Sequence, residues 1–189
     1  MKLRLINKPD LSKKIIFLDR DGVLNEDSPN YILSPEQWIP IKEAMIAVST
    51  LKKKGFKIFI ISNQSAIGRE LLTLQQLKKI DNKMHLELEK HEGAVDDIFY
   101  CFHRPDERCN CRKPKSGLIQ QVMRKWNISN IKNIPLVGDK KSDMDLALSV
   151  DAYPIYISNG LYSLPEEKPY NEILRFKNLY ELVIHWGLA

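Results

Sequence analysis

The chain has 189 residues, with 29 Lys and Arg against 24 Asp and Glu for a net charge of +5, and three cysteines. That length suits one domain that buries a core without disulfide staples. A content of 43% hydrophobic and 28% charged residues excludes a disordered chain.

The longest apolar run, around residues 58–61, is far too short to span a bilayer. The first eight residues lack the apolar segment of a signal peptide, and the odd cysteine count argues against a closed disulfide framework. A cytoplasmic chain with reduced thiols is expected, and no apolar patch calls for more than a monomer.

Short apolar runs alternate with amphipathic ones along the chain. Residues 14–18 form a β-rich run that stops at an acidic cluster. Residues 42–54 carry apolar side chains at helical spacing and end at Gly55, a good C-terminal stop. Residues 57–61 predict a second strand, ending at Ser62-Asn63-Gln64. A long amphipathic helix follows over 73–92, with Thr73 as its N-cap. Then come a strand over 97–101, a helix over 116–126, a strand over 134–138, a helix over 142–150 and a strand over 153–157. Proline cannot donate to a strand ladder, so Pro154 predicts an edge position for the fifth strand. Continuous apolar strands are buried on both faces, as in a parallel sheet. Alternation with helices predicts an α/β fold, a three-layer Rossmann-like sandwich with right-handed crossovers. Ligands of such sheets sit beyond the carboxyl ends of the strands. Asp19, Ser62, Cys101 and Asp139 cluster there.

The first strand runs into Asp19-Arg-Asp-Gly-Val-Leu-Asn25. Two carboxylates two residues apart can converge on one small volume, and Gly22 lets the backbone turn sharply. One could attack phosphorus while the other moves a proton; Asp-Gly is also ordinary turn chemistry. Gly138-Asp139-Lys-Lys-Ser-Asp143 brings a third carboxylate to the same sheet edge. Converging carboxylates imply a hard cation, Mg²⁺. Asp143 reads either as support for this motif or as a carboxylate at a helix N-terminus. Ser62 and Asn63 offer a hydroxyl and amides to phosphoryl oxygens, and Lys113 offers a fixed positive charge.

Asp19-Arg-Asp-Gly, Ser62, Lys113 and Gly138-Asp139-x-x-x-Asp143, in this order at strand ends, resemble four signatures of the haloacid dehalogenase-type phosphatases. The resemblance covers residues 14–150 and implies the capless form of that fold. It also implies Asp19 as nucleophile, Asp21 as acid/base, and Ser62 and Lys113 as stabilisers of the phosphoryl group. Mg²⁺ would be held by Asp19, Asp21 and Asp139, with one contact through a backbone carbonyl. Val23 stands where many members have Thr. The Asp19 motif, Asn30-Tyr31, Ser62-Asn-Gln-Ser65 and Cys111-Arg-Lys-Pro114 look like the branch that hydrolyses the C7 phosphate of heptose 1,7-bisphosphate, in lipopolysaccharide precursor synthesis. The histidinol-phosphate phosphatases are its near relatives. Insertions after Gly22, after Gln64 and around the cysteines would shape the pocket in place of a cap. Expected substrate contacts are Asp27, Asn30, Tyr31, Asn63, Gln64, Ser65, Arg112 and Lys140.

Cys101, His103, Cys109 and Cys111 gather all three cysteines and one of four histidines into eleven residues. Three thiolates and an imidazole form a closed tetrahedral set suited to structural Zn²⁺. The alternative is scattered cysteines beside an unrelated histidine. Arg112 and Lys113 follow the last ligand directly, so zinc would order a substrate-recognition arm. The short interval from His103 to Cys109 looks more like the histidinol-phosphate enzymes. Asn25, Asn30-Tyr31 and Ser65 look more like the heptose branch, and they weigh more because that loop lines the sugar side of the pocket.

A zinc-loop nucleic-acid-binding module is the competing class, permitted by the +5 charge and by Lys52-Lys-Lys54. That basic run reads more simply as the solvated end of a helix, and no finger or RNA-binding signature is present. A polynucleotide 3′-phosphatase domain shares the core chemistry but is disfavoured by the single-domain length. The expectation is one phosphatase domain over 1–189 with a zinc loop at 101–111, a phosphorylated sugar as partner, and neither nucleic acid nor membrane. Trp38, Trp126 and Trp186 read as packing residues, and His85, His91 and His185 carry no assigned role.

Overall fold

Alternation at period two places the core on both sides of the strands. In β1 (Ile15–Leu18), Ile16 and Leu18 join one hydrophobic cluster and Phe17 the other. In β2 (Lys57–Asn63), Ile58 and Ile60 oppose Phe59 and Ile61 in the same way. With β3 (Asp97–Cys101), β4 (Pro135–Gly138), β5 (Tyr153–Ile157) and β6 (Leu174–Phe176) they form one parallel sheet, in the order β3-β2-β1-β4-β5-β6. This computed structural model describes residues 8–159 and 161–189. Residues 1–7, which carry most of the stretch read for a signal peptide, lie outside the described residues.

Helices cover both faces. The helices α1 (Lys42–Lys53), α3 (Leu74–Lys90) and α6 (Leu179–His185) bury Val48, Ile80 and Leu182 in the first cluster. On the other face, α4 (Gly117–Lys125) and α5 (Lys141–Ser149) bury Leu118, Val122 and Leu146. A single turn, α2 (Ser65–Gly68), follows β2. The expected caps form: α1 gives way to Lys54 and to Gly55 at φ +82°, and Thr73 and Gln76 make a reciprocal capping box at the start of α3. Trp38, Trp126 and Trp186 all pack against the two clusters.

The edge position expected for β5 is not found. This strand lies between β4 and β6. Tyr153 N–H donates to Ile134 O at 2.8 Å on the β4 side, so Pro154 turns its nitrogen towards β6. Pairing with β6 begins only at Ile155, and the missing donor forfeits no ladder bond. The short, largely exposed β6 has no apolar run to announce it.

The crossover from β1 leads to β2 on one side, whereas that from β4 leads to β5 on the other, so the strand order reverses between β1 and β4. A crevice opens at that switch point, and Asp19 stands in it.

Candidate active site

Three strand ends deliver the polar side chains. Asp19 follows β1, and its N–H donates to Val137 O at 2.9 Å, which ties the β1 exit to β4. Ser62 and Asn63 end β2, and Asp139 follows β4. The carboxylates of Asp19, Asp139 and Asp143 come within 4.8 Å of one another. All three residues are buried.

Lys113 answers part of that charge. Its Nζ lies 2.9 Å from Asp19 Oδ2 and 2.6 Å from Asp143 Oδ1, and donates to Ile61 O at 2.9 Å. Burial disfavours the ammonium, but Asp143 and Asp19 outweigh it and hold the pKa above the usual lysine value. Asn63 fixes the arm that carries this lysine: its Oδ1 accepts from Lys113 N at 3.0 Å, and its Nδ2 donates to Lys113 O at 3.2 Å.

One ammonium does not balance three carboxylates. Burial pushes Asp139 up to about 7, although nearby Lys140 pulls it down. Asp139 Oδ1 accepts no hydrogen bond from the described residues, and Lys140 Nζ lies 3.5 Å away. Asn159 Nδ2 bridges Asp139 Oδ2 at 3.0 Å and Gly22 O at 3.2 Å. Gly22 sits at φ +84°, and a Cβ there would strike the Asp139 carboxylate. An under-satisfied buried oxygen among hard donors, backed by a glycine that cannot be filled, fits a divalent cation.

The Asp21 carboxylate does not join that group; Asp143 stands there instead. Arg20 draws Asp21 away, with Nε 2.9 Å from Oδ1 and Nη2 3.1 Å from Oδ2, and Gln64 Nε2 adds a bond to Oδ2 at 2.8 Å. Burial opposes the Asp21 charge, but Arg20 and these hydrogen bonds hold its carboxyl below the usual range. A metal contact from this residue would therefore fall to its backbone carbonyl.

A cavity of about 370 Å³ opens over these groups, with Asp19, Asp21, Ser62 and Lys113 in its wall. Asp27, Tyr31, Asn63, Gln64, Ser65, Arg112 and Lys140 line it as well. Asn30 does not. It is exposed in the turn before Tyr31, whose φ of +65° carries the chain round so that Tyr31 lines the wall instead. Lys140 is partly engaged, with Nζ 2.6 Å from Asp27 Oδ2 and 4.8 Å from the centre of the Tyr162 ring. Sequence reasoning missed Arg69, Ser142 and Tyr162 in the cavity wall. These are loop or helix-start residues whose neighbours carry no periodic signal.

Beside the cavity, Cys101, His103, Cys109 and Cys111 converge. Five separations among their Sγ and Nδ1 atoms lie between 3.2 and 3.7 Å. Metal bonds of about 2.3 Å to sulfur and 2.0 Å to nitrogen give tetrahedral edges of about 3.5–3.8 Å, so the four side chains fit one zinc ion. Burial raises the Cys101 thiol to about 12. Burial also opposes ionisation of Cys109, but backbone amides led by Arg112 N, at 3.3 Å from its sulfur, bring it down to about 7.

Comparisons with known proteins show the family. The family model described as polynucleotide kinase 3 phosphatase matches residues 10–151. The chain is 37% identical over 147 residues to D-glycero-beta-D-manno-heptose-1,7-bisphosphate 7-phosphatase of Pseudomonas putida, covering 78% of this chain and 83% of that one. The chain belongs to the haloacid dehalogenase-like phosphatases. The enzyme of the same name from Helicobacter pylori is 33% identical over 175 residues, covering 91% of this phosphatase and 96% of its own length. Among solved structures, D,D-heptose 1,7-bisphosphate phosphatase from B. bronchiseptica, complexed with magnesium and phosphate, aligns with a TM-score of 0.82 at 30% identity. That alignment covers 92% of this phosphatase and 97% of that chain. No described helix of this phosphatase is long and apolar enough to cross a membrane.

Proposed function

We propose that this phosphatase removes the C7 phosphate of D-glycero-D-manno-heptose 1,7-bisphosphate through an aspartyl-phosphate on Asp19. The observation that carries the reading is Asp19 itself, a buried carboxylate held by Lys113 at the floor of a cavity with cationic groups in its wall. In the first step an Asp19 oxygen attacks phosphorus and the bond from phosphorus to the sugar oxygen breaks. Asp21, protonated as the negative charge of the bound phosphate raises its pKa, gives that oxygen its proton. In the second step Asp21 takes a proton from water as the water oxygen attacks the same phosphorus. The bond from phosphorus to Asp19 breaks, and inorganic phosphate leaves.

Lys113 and the Arg20 N–H, which donates to Asp19 Oδ1 at 2.8 Å, keep the nucleophile in one orientation. Ser62, with Lys113, faces the transferring group, while Arg112, Lys140 and the 27–31 loop receive the rest of the substrate. Asp19, Asp139 and the Asp21 carbonyl would hold Mg²⁺, with Asp143 behind them. Bound there, the ion neutralises phosphoryl charge as the bonds change. The 101–111 loop would hold structural zinc and so brace Arg112 and Lys113. The names of these relatives supply the substrate class. Within that reading the chain is one phosphatase domain, monomeric, cytoplasmic, and independent of nucleic acid and membrane.

Phosphate release from heptose 1,7-bisphosphate and from histidinol phosphate, measured side by side, tests the assignment. The heptose should be hydrolysed far faster, at C7, and Asp19→Asn should release nothing while remaining folded. Comparable or reversed rates would overturn the substrate, and turnover by Asp19→Asn would overturn the mechanism.

A further inference from the structure

Between the proposed nucleophile and the proposed acid/base lies Arg20, which neither chemical step uses. Its side chain is wholly buried. A guanidinium in such a place is tolerated only when its charge and its donors are answered. Two of its nitrogens grip both oxygens of Asp21, at 2.9 and 3.1 Å, in a bidentate fork. The third turns the other way, to Tyr100 Oη on β3 at 3.3 Å and to Asp81 Oδ1 on α3 at 3.5 Å. The Tyr100 hydroxyl donates to Asp81 Oδ1 at 2.6 Å, and the Tyr100 ring centre lies 5.6 Å from the guanidinium carbon. Neither Arg20, Tyr100 nor Asp81 lines the phosphate cavity. Two elements remote from the chemistry thus hold one side chain, and that side chain grips Asp21.

We propose that Arg20, braced by Tyr100 and Asp81, is a positioning residue that aims the Asp21 carboxylate at the leaving oxygen and then at the attacking water. The inference rests on the reading of Asp21 as acid/base. A carboxylate on a loop has several rotamers open to it, yet it must deliver a proton and later collect one at nearly the same point. The fork fixes both of its oxygens, and Gln64 adds a second support from the β2 end.

A double-variant cycle separates this role from a purely structural one. Arg20→Gln, Tyr100→Phe and Asp21→Asn, singly and with each of the first two combined with the third, are assayed on heptose bisphosphate. The same set is assayed on p-nitrophenyl phosphate, whose leaving group departs without a proton. A misplacement near 1 Å can lower turnover about a hundredfold, so Arg20→Gln should reduce kcat roughly 10- to 100-fold. Tyr100→Phe, which removes one brace, should reduce it roughly 3- to 10-fold. KM should stay within about twofold, since neither group touches the cavity. Both losses should vanish in the Asp21→Asn background, and on p-nitrophenyl phosphate the part that belongs to the water step should remain while the part that belongs to leaving-group protonation is lost. Arg20→Lys restores the charge without the fork, so it should recover the melting temperature and not kcat.

If Arg20→Gln fails to fold, Tyr100→Phe decides by the same criteria. Losses that persist undiminished in the Asp21→Asn background overturn the inference and leave the acid/base assignment standing. Full turnover of the heptose by Asp21→Asn overturns that assignment, and this inference with it.

Discussion

Replacing Lys113 with methionine removes the ammonium that touches two of the three buried carboxylates. Its contacts are 2.9 Å to Asp19 and 2.6 Å to Asp143, between side chains no more than 5% exposed. At an effective dielectric of about 20, pairs at these separations attract by about 6 kcal/mol each before desolvation. Desolvation cancels much of this, and removing one partner of a buried pair costs about 3–5 kcal/mol. For a chain of this size the melting temperature should fall by roughly 6–20 °C. Methionine keeps the length and apolar stem of lysine, so the loss reports charge rather than volume.

The assay is urea and thermal unfolding of metal-free wild type, Lys113→Met, Asp143→Asn and the double variant. The double variant should regain much of the loss, because it deletes a carboxylate that Lys113→Met leaves unanswered. Added Mg²⁺ should stabilise Lys113→Met more than wild type, since it would supply the missing positive charge. A loss below about 1 kcal/mol, the range of an exposed pair, would refute the reasoning. So would a double variant no more stable than Lys113→Met.

Gly22→Ala should cut phosphate release by more than about a hundredfold, because it adds roughly 1–2 kcal/mol of backbone strain and drives a methyl into Asp139; circular dichroism checks that the sheet persists. Metal analysis should find one zinc per chain, and Cys111→Ser should lose it together with the order of the Arg112 arm, seen as a raised KM and faster proteolysis between 101 and 115. Asp97 gives a pH test away from the site. Burial alone would raise its carboxyl, but Lys125, Trp126 Nε1 and the Ile98 amide together hold it below the ordinary 3.8. A carboxyl lowered on folding stabilises the protein above its unfolded value and loses that contribution as pH falls through the folded one. Wild type should therefore exceed Asp97→Asn in urea stability at pH 6, and the gap should close on descending below pH 3.8. A gap that widens in acid would be wrong in sign.

Much of the site could be read from the chain because strand ends in a parallel sheet converge whatever the details of packing. Once 14–18, 57–61 and 134–138 are strands, Asp19, Ser62 and Asp139 must meet at one edge. The Cys/His cluster was equally local, since four side chains within eleven residues need only a tight fold-back to converge. Pattern also sufficed for α1 and α3, whose stop and cap residues stand beside long amphipathic runs.

Tertiary packing decided the rest. Pro154 signals an edge only if both sides of the strand are paired along their full length, and the short β6 leaves that rule without force here. Asn30 and Tyr31 are neighbours in sequence, yet a single positive φ separates the one that lines the cavity from the one that faces solvent. The motif left open which Mg²⁺ contact would be a backbone carbonyl, and the buried Arg20 guanidinium, by claiming both Asp21 oxygens, points to Asp21. Asp143 takes the place near Asp139 because α5 starts one residue after Lys140 and turns it inward. Spacing along the chain specifies which groups can meet, whereas which charge neutralises which depends on side chains from α3 and β3, and on Lys113, that only folding brings into reach.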